Sequence, residues 1–281
     1  MAHSTKSHAE LRNIPASDVR AAIRSGLYRR HTAGLADGYL QCNVVILLED
    51  HALDFMRFCQ RNPKPCPLAG VSDTGDPFMR TLGEDIDIRS DVPLYNVYHD
   101  GELSGQVSDI NGIWRDDLVA FALGCSFTFE RALVADGIPL RHVTLDRTVS
   151  MYRTTLETIA AGKFRGGTVV SMRPIPRDDV ERTIRISSRY PLAHGAPIHV
   201  GDPSAIGIAD ITKPDWGDPT PVEPGEVPLF WSCGVTPQVA IMQAGLPLCI
   251  THAPGAMLIT DIDEFAEFPI LTASGIGEKS T

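Results

Sequence analysis

The sequence predicts an α/β protein: a layered mixed-sheet domain formed by both ends of the chain, with a smaller two-layer α+β module inserted between them. Three observations carry this. A strand-helix-strand pattern runs through residues 40–71 and returns near residues 229–251. Between them lies a stretch of shorter strands and one amphipathic helix, closed off by a proline-dense crossing at 214–228. The expected division is 1–125 plus 226–281 for the discontinuous domain and 126–225 for the insert.

Taken in order, the polar opening residues lead to Ser17, the expected cap of a helix over 18–27. The apolar, β-branched run Leu40 to Leu48 fits a buried strand. Glu49 and Asp50 open a helix through Arg61, stopped by Pro63, Pro65 and Pro67, and 68–71 reads as the next strand. That unit is a building block of a parallel sheet. Asp and Gly crowd 73–90 into a loop, and the turn at Asp100-Gly101 joins two strands of a hairpin. Trp114, Leu118, Phe121 and Ala122 recur at helical spacing, and a further helix runs from Ser126 to Gly137. Strands at 149–153, 168–173 and 198–200 and a helix over 178–190 fill the insert. Prolines 214, 219, 221, 224 and 228 exclude a helix or central strand from the crossing. A strand at 229–232, a helix at 237–244 and a strand at 246–251 end the pattern.

The chain has 281 residues and a net charge of -10 from 35 acidic and 25 basic side chains. Such a field repels nucleic acid and anionic membrane surfaces, so neither is an expected partner. It also opposes an anionic metabolite, the expected substrate class, so local cations must reverse the sign at the site. The apolar run at 44–48 is too short to cross a bilayer, the first residues lack a signal-peptide core, and none of the six cysteines forms a C-x-x-C pair. Reduced thiols and a cytoplasmic location are expected. A homo-oligomer is expected from the habit of metabolic enzymes. The nucleotide, zinc-protease and hydrolase signatures are missing, so no cofactor and no metal are called for.

Two segments carry the chemistry best. In Ser232-Cys233-Gly234-Val235-Thr236-Pro237-Gln238, Thr236 is a favoured N-cap and Pro237 a favoured first helical residue. Backbone amides there would meet a carboxylate or an oxyanion, with Gln238 beside them. Cys233 is a candidate nucleophile or acid/base, though a buried small thiol is the commoner use. In Thr251-His252-Ala253-Pro254-Gly255, His252 ends an apolar strand ahead of a sharp turn, as a proton shuttle would. Asp261 could orient it. A lone histidine is more often structural. Arg153 and Arg173 each end a strand, and a guanidinium fork suits a carboxylate, although an ion pair is the plainer reading for either alone. His199 points opposite to Ile198 and Val200 and could face a cleft.

Gly38-Tyr39-Leu40-Gln41-Cys42-Asn43, Phe58 through Pro67, Gly124-Cys125-Ser126-Phe127-Thr128-Phe129-Glu130, Met151-Tyr152-Arg153-Thr154, Ser171-Met172-Arg173-Pro174, the run Gly195 to Pro203, Cys233 through Gln238 and His252 through Met257 are collinear. Together they resemble a family of provisionally named hydro-lyases that includes D-glutamate cyclase, over roughly residues 15–262. The resemblance implies an α/β fold with a smaller α+β insert, and dehydration of D-glutamate to 5-oxo-D-proline. It implies no particular catalytic residues. The chemistry above gives a scheme: Arg153 and Arg173 hold the α-carboxylate, Thr236 and Gln238 the γ-carboxyl, and His252, oriented by Asp261, moves the proton, with Cys233 a bystander or second acid/base. A hydro-lyase acting on a hydroxy acid, a non-catalytic carboxylate-binding protein and a thiol hydrolase are the alternatives.

Overall fold

Strands rather than helices dominate the computed structural model, which describes residues 5–145 and 147–264. In chain order the elements are α1 (His8–Leu11), α2 (Ala16–Arg24), β1 (Tyr39–Leu48), α3 (Glu49–Arg61), β2 (Leu68–Val71), β3 (Tyr95–His99), β4 (Glu102–Val107) and β5 (Leu118–Gly124). Then come α4 (Phe127–Ala135), α5 (Arg141–Thr144), β6 (Ser150–Glu157), β7 (Gly167–Pro176), α6 (Val180–Ser187), β8 (His199–Val200), β9 (Glu226–Ser232), α7 (Val235–Ala244), β10 (Cys249–His252) and β11 (Leu258–Asp263). The chain is α/β, with its strands in two antiparallel sheets.

It divides into two compact units: residues 1–53, 68–123 and 245–281, and residues 54–67 with 124–244. Residues past 264, which the expected first domain included, lie outside the described residues.

In the first unit the strands run β2-β5-β1-β10-β3-β4, with β11 also on β1. The run Leu40 to Leu47 is buried throughout, as its composition demands. The parallel pair expected from β1-α3-β2 is not formed, because β5 lies between the two strands. The expected helix around Phe121 is instead β5, with all seven residues buried. An apolar run this short has no polar face, so its periodicity cannot tell a strand from a buried helix. The β3–β4 hairpin turns on Asp100 (φ 51°) and Gly101 (φ 84°), the pair of positive φ values that a two-residue hairpin requires. α2 starts at Ala16, slightly before the expected cap, and packs Val19 and Ile23 with Leu11, Tyr28 and Ile259.

In the second unit the order is β6-β7-β9-β8, antiparallel throughout. Alternation along β7 and β9 gives the sheet two covered faces. Ile175, Leu229 and Trp231 pack with Phe129 and Leu133 of α4, while Val170, Met172 and Phe230 pack with Tyr152, Ile206 and Ile208. The sequence expected no strand at Pro228, yet β9 is central and contains it. Ile198 N and Gly201 N donate to the Phe230 and Pro228 carbonyls, so the backbone at 228 faces the β8 side. The ring nitrogen therefore lies away from β7, where no ladder donor is needed, and Pro174 of β7 stands opposite. β9 and α7 thus belong with the insert, unlike the expected boundary at 226, because β9 pairs β7 over seven positions.

Candidate active site

The second unit holds two similar helix starts. Gly124-Cys125-Ser126-Phe127-Thr128 and Ser232-Cys233-Gly234-Val235-Thr236 share the order small, Cys, small, apolar, Thr. Each follows a strand end, and each helix begins two residues after its cysteine, at Phe127 and at Val235. The start at Val235 is two residues earlier than a Thr236 cap requires. In both places the next two backbone N–H groups act to lower the pKa of the thiol. Both thiols are half-buried and unbridged.

Burial pushes the Cys125 thiol up to about 12, and the negative charge of Glu130 and of an ionised Cys233 adds to the rise against the two amides. Burial also raises Cys233, but there Arg173 pulls the other way.

The strand end at Gly124 is crowded by backbone. A β-carbon at Gly124 would lie 1.8 Å from the Leu192 carbonyl oxygen, so only glycine lets the 191–194 segment approach. Two residues on, His194 is buried with φ 71°, an uncommon conformation for a residue with a side chain. Its Nδ1 is 2.7 Å from the Lys64 carbonyl, and burial lowers its pKa to about 4.

Behind the helix starts lies a buried polar network. Arg173, on the same face of β7 as Val169 and Ser171, is wholly enclosed. Its Nε donates to Glu130 Oε1 at 2.9 Å, and Nη2 donates to the same oxygen and to Ser126 Oγ at 3.2 Å. Nη1 donates to Ser171 Oγ at 2.9 Å. The guanidinium also lies over Phe129 and Trp231, 4.8 and 5.1 Å from their ring centres. His142 Nε2 is 3.3 Å from Glu130 Oε1. Burial alone would raise the Glu130 pKa, but the charges of Arg173 and His142 outweigh it and bring it down to about 2. Arg173 is therefore spent on Glu130. Both serine hydroxyls accept from it, which leaves their own protons to donate, and Ser126 is half-buried rather than enclosed.

The remaining residues singled out from the sequence have other partners. Arg153 is exposed, 3.5 Å from Asp215, and its guanidinium lies 4.7 Å from the Trp216 ring centre. Thr236 is buried; its hydroxyl accepts from Val169 N at 3.0 Å and latches α7 to β7. Gln238 is half-buried in the first turn of α7. His199 lies tilted against Phe230 with ring centres 5.7 Å apart, and its Nε2 meets the Asp202 carbonyl at 2.7 Å.

In the first unit, His252 Nδ1 accepts from Val44 N at 3.1 Å, and burial lowers its pKa to about 4. Asp261 is bound by both terminal nitrogens of Arg20, at 2.7 and 3.0 Å, so its carboxylate is already engaged there. Cys125, Ser126, Glu130, His142, Ser171 and His194 were not among the site residues expected from the sequence. The signal available was the repeated Cys-small-apolar-Thr order at two strand ends.

No group of three metal-binding side chains occurs among the described residues, and no helix among them is long and apolar enough to cross a membrane. Residues 119–261 match the family model described as D-glutamate cyclase. A protein of Dinoroseobacter shibae, provisionally named a hydro-lyase, is 62% identical over 261 residues, covering 93% of this chain and 87% of its own. One of Ruegeria pomeroyi, named in the same way, is 64% identical over 93% of this chain and 95% of its own. A nitrogen repressor-like protein of Methanococcus jannaschii aligns over 84% of this chain and 91% of its own at 11% identity, with a TM-score of 0.37.

Proposed function

The chain belongs to the D-glutamate cyclase family, and from that premise we propose that it is a hydro-lyase closing D-glutamate to 5-oxo-D-proline, with its reaction centre in the second unit. One observation supports this most. Cys233 is a half-buried residue beside backbone amides at a helix start, within electrostatic reach of the Arg173–Glu130 pair.

The reaction joins the α-nitrogen to the γ-carbon and expels one carboxyl oxygen as water. Its demands are two anion sites, a proton acceptor for the ammonium and a proton donor for the leaving oxygen. In this reading the start of α7, with Gln238, takes the γ-carboxyl and the oxyanion that develops on it. Ser126, its hydroxyl anchored by Arg173, donates to the α-carboxylate. Cys233 accepts the ammonium proton; burial and Glu130 raise its pKa, while the two amides and Arg173 act in favour of the thiolate. Folding the substrate so that its two ends meet supplies much of the rate by proximity. Arg153, His199, His252 and Asp261 keep the partners described above and take no step in this scheme.

The test is incubation with D- and L-glutamate and detection of 5-oxoproline by chiral chromatography. D-Glutamate turns over, and Cys233→Ser lowers kcat by about 10²- to 10⁴-fold, the range for a lost proton-transfer group. Product from neither enantiomer sinks the reading. The hydro-lyase names of the relatives favour one competing reading, elimination of water from a 2-hydroxy acid, which would show as new alkene absorbance.

A further inference from the structure

We infer that Cys125 is a second catalytic thiol, the acid that protonates the departing oxygen, working opposite Cys233 as base. This rests on the reading of the second unit as the reaction centre.

The geometry treats the two cysteines as counterparts. Each stands at the end of a strand, β5 for Cys125 and β9 for Cys233, and each lies two residues before the start of a helix of nine or ten residues. At each the next two backbone N–H groups favour the thiolate, each residue is half-buried, and Cys233 Sγ donates to Met151 Sδ at 3.5 Å. The other four cysteines differ: Cys42, Cys59, Cys66 and Cys249 are buried.

The Arg173 network reaches both helix starts. It binds Ser126, the neighbour of Cys125, and Ser171, whose strand partner Trp231 lies two residues before Cys233. Cys233 N in turn donates to the Val169 carbonyl at 3.0 Å, fixing it two residues along the same strand from Ser171. Polar atoms remain uncommitted in the same network: Trp231 Nε1 and His142 Nδ1 are buried with no hydrogen-bond partner among the described residues.

The two environments are unequal in a useful direction. Cys125 feels the negative Glu130 and the second thiol, with no cation set against them, and so keeps its proton. Cys233 is also raised by burial and by Glu130, but there Arg173 opposes them, so it yields its proton more readily than Cys125. A pair of groups with separated affinities is what acid and base roles require.

The atoms balance. Starting from the Cys233 thiolate and the Cys125 thiol, the ammonium gives one proton to Cys233, and the freed nitrogen pair forms the bond to the γ-carbon. The second nitrogen proton passes to one γ-oxygen. Cys125 adds its proton to that oxygen, the C–O bond breaks with its electron pair, and water leaves. A proton moving from Cys233 to Cys125 restores the starting pair.

The experiment compares wild type, Cys125→Ser, Cys125→Ala and Cys233→Ser on D-glutamate and on its γ-(4-nitrophenyl) ester, corrected for uncatalysed closure. The nitrophenolate leaves without a proton, so only the first substrate needs the acid. Expected are a 10²-fold or greater loss of kcat on D-glutamate for both Cys125 variants, with KM within a few-fold, and near wild-type rates on the ester. Cys233→Ser loses rate on both. Cys125 variants that match wild type on D-glutamate, or that lose both substrates equally, overturn the role of Cys125 while leaving the cyclase reading intact. A wild type inert towards D-glutamate overturns both.

Discussion

His252 and His194 are enclosed imidazoles, and burial holds each neutral, with a pKa lowered to about 4. A free histidine takes its proton near 6.5. Below that value the unfolded chain binds protons that the folded chain refuses until about pH 4. The stability tied to these groups is therefore complete above about pH 6.5 and is lost as the pH falls towards 4. For His252 the gap corresponds to roughly 3 kcal/mol. His252→Asn keeps an acceptor for Val44 N while removing the titration. Its melting temperature should fall less than that of wild type between pH 7 and pH 4, by about 5 °C or more, read by circular dichroism. His252→Leu orphans the Val44 N–H and should cost about 1–3 kcal/mol at neutral pH. The buried Glu130 acts at lower pH: with its pKa brought down to about 2, its contribution begins to fade as the pH falls into the ordinary glutamate range and is gone below about pH 2.

At the scale of elements, the junctions between strand and helix decide the candidate site. Gly124→Ala forces a β-carbon against the Leu192 carbonyl where β5 hands over to α4. It should lower the melting temperature severely or prevent soluble expression, whereas Gly105→Ala, on an exposed strand with nothing within 4 Å, should fold normally. Elements with a marked face or a marked turn were legible in the sequence: the hairpin at Asp100-Gly101, the buried run of β1 and the proline-stopped α3. β5 was not, because seven apolar residues carry no periodicity to read. Arg173 could be placed on a face with Ser171 from alternation alone. That Glu130 meets it depends on how α4 lies across the sheet, and local sequence does not encode that packing.

Over the whole molecule, strand-helix-strand segments in sequence need not be neighbours in a sheet. β9-α7-β10 reads as one continuous unit, yet β9 belongs to the four-stranded sheet and β10 to the seven-stranded one. The return of the first domain was visible in the pattern, but its boundary was not. Net charge is also a property of the whole chain. At -10 the molecule repels a dicarboxylate at long range. On the proposed reading, kcat/KM for D-glutamate should rise as salt increases from about 10 mM to 150 mM, where the screening length contracts from about 30 Å to about 8 Å. An unchanged or falling value would mean that local cations already set the sign of the field.

Trp231 has a practical use. It is one of three tryptophans, its indole is wholly enclosed, and Phe129 stacks on it with ring centres 5.1 Å apart, while a guanidinium lies over its ring. With Trp114 and Trp216 changed to phenylalanine, its fluorescence becomes the sole tryptophan emission. Any occupant that displaces Arg173 then registers as a change in colour or brightness, giving a label-free titration that needs no turnover.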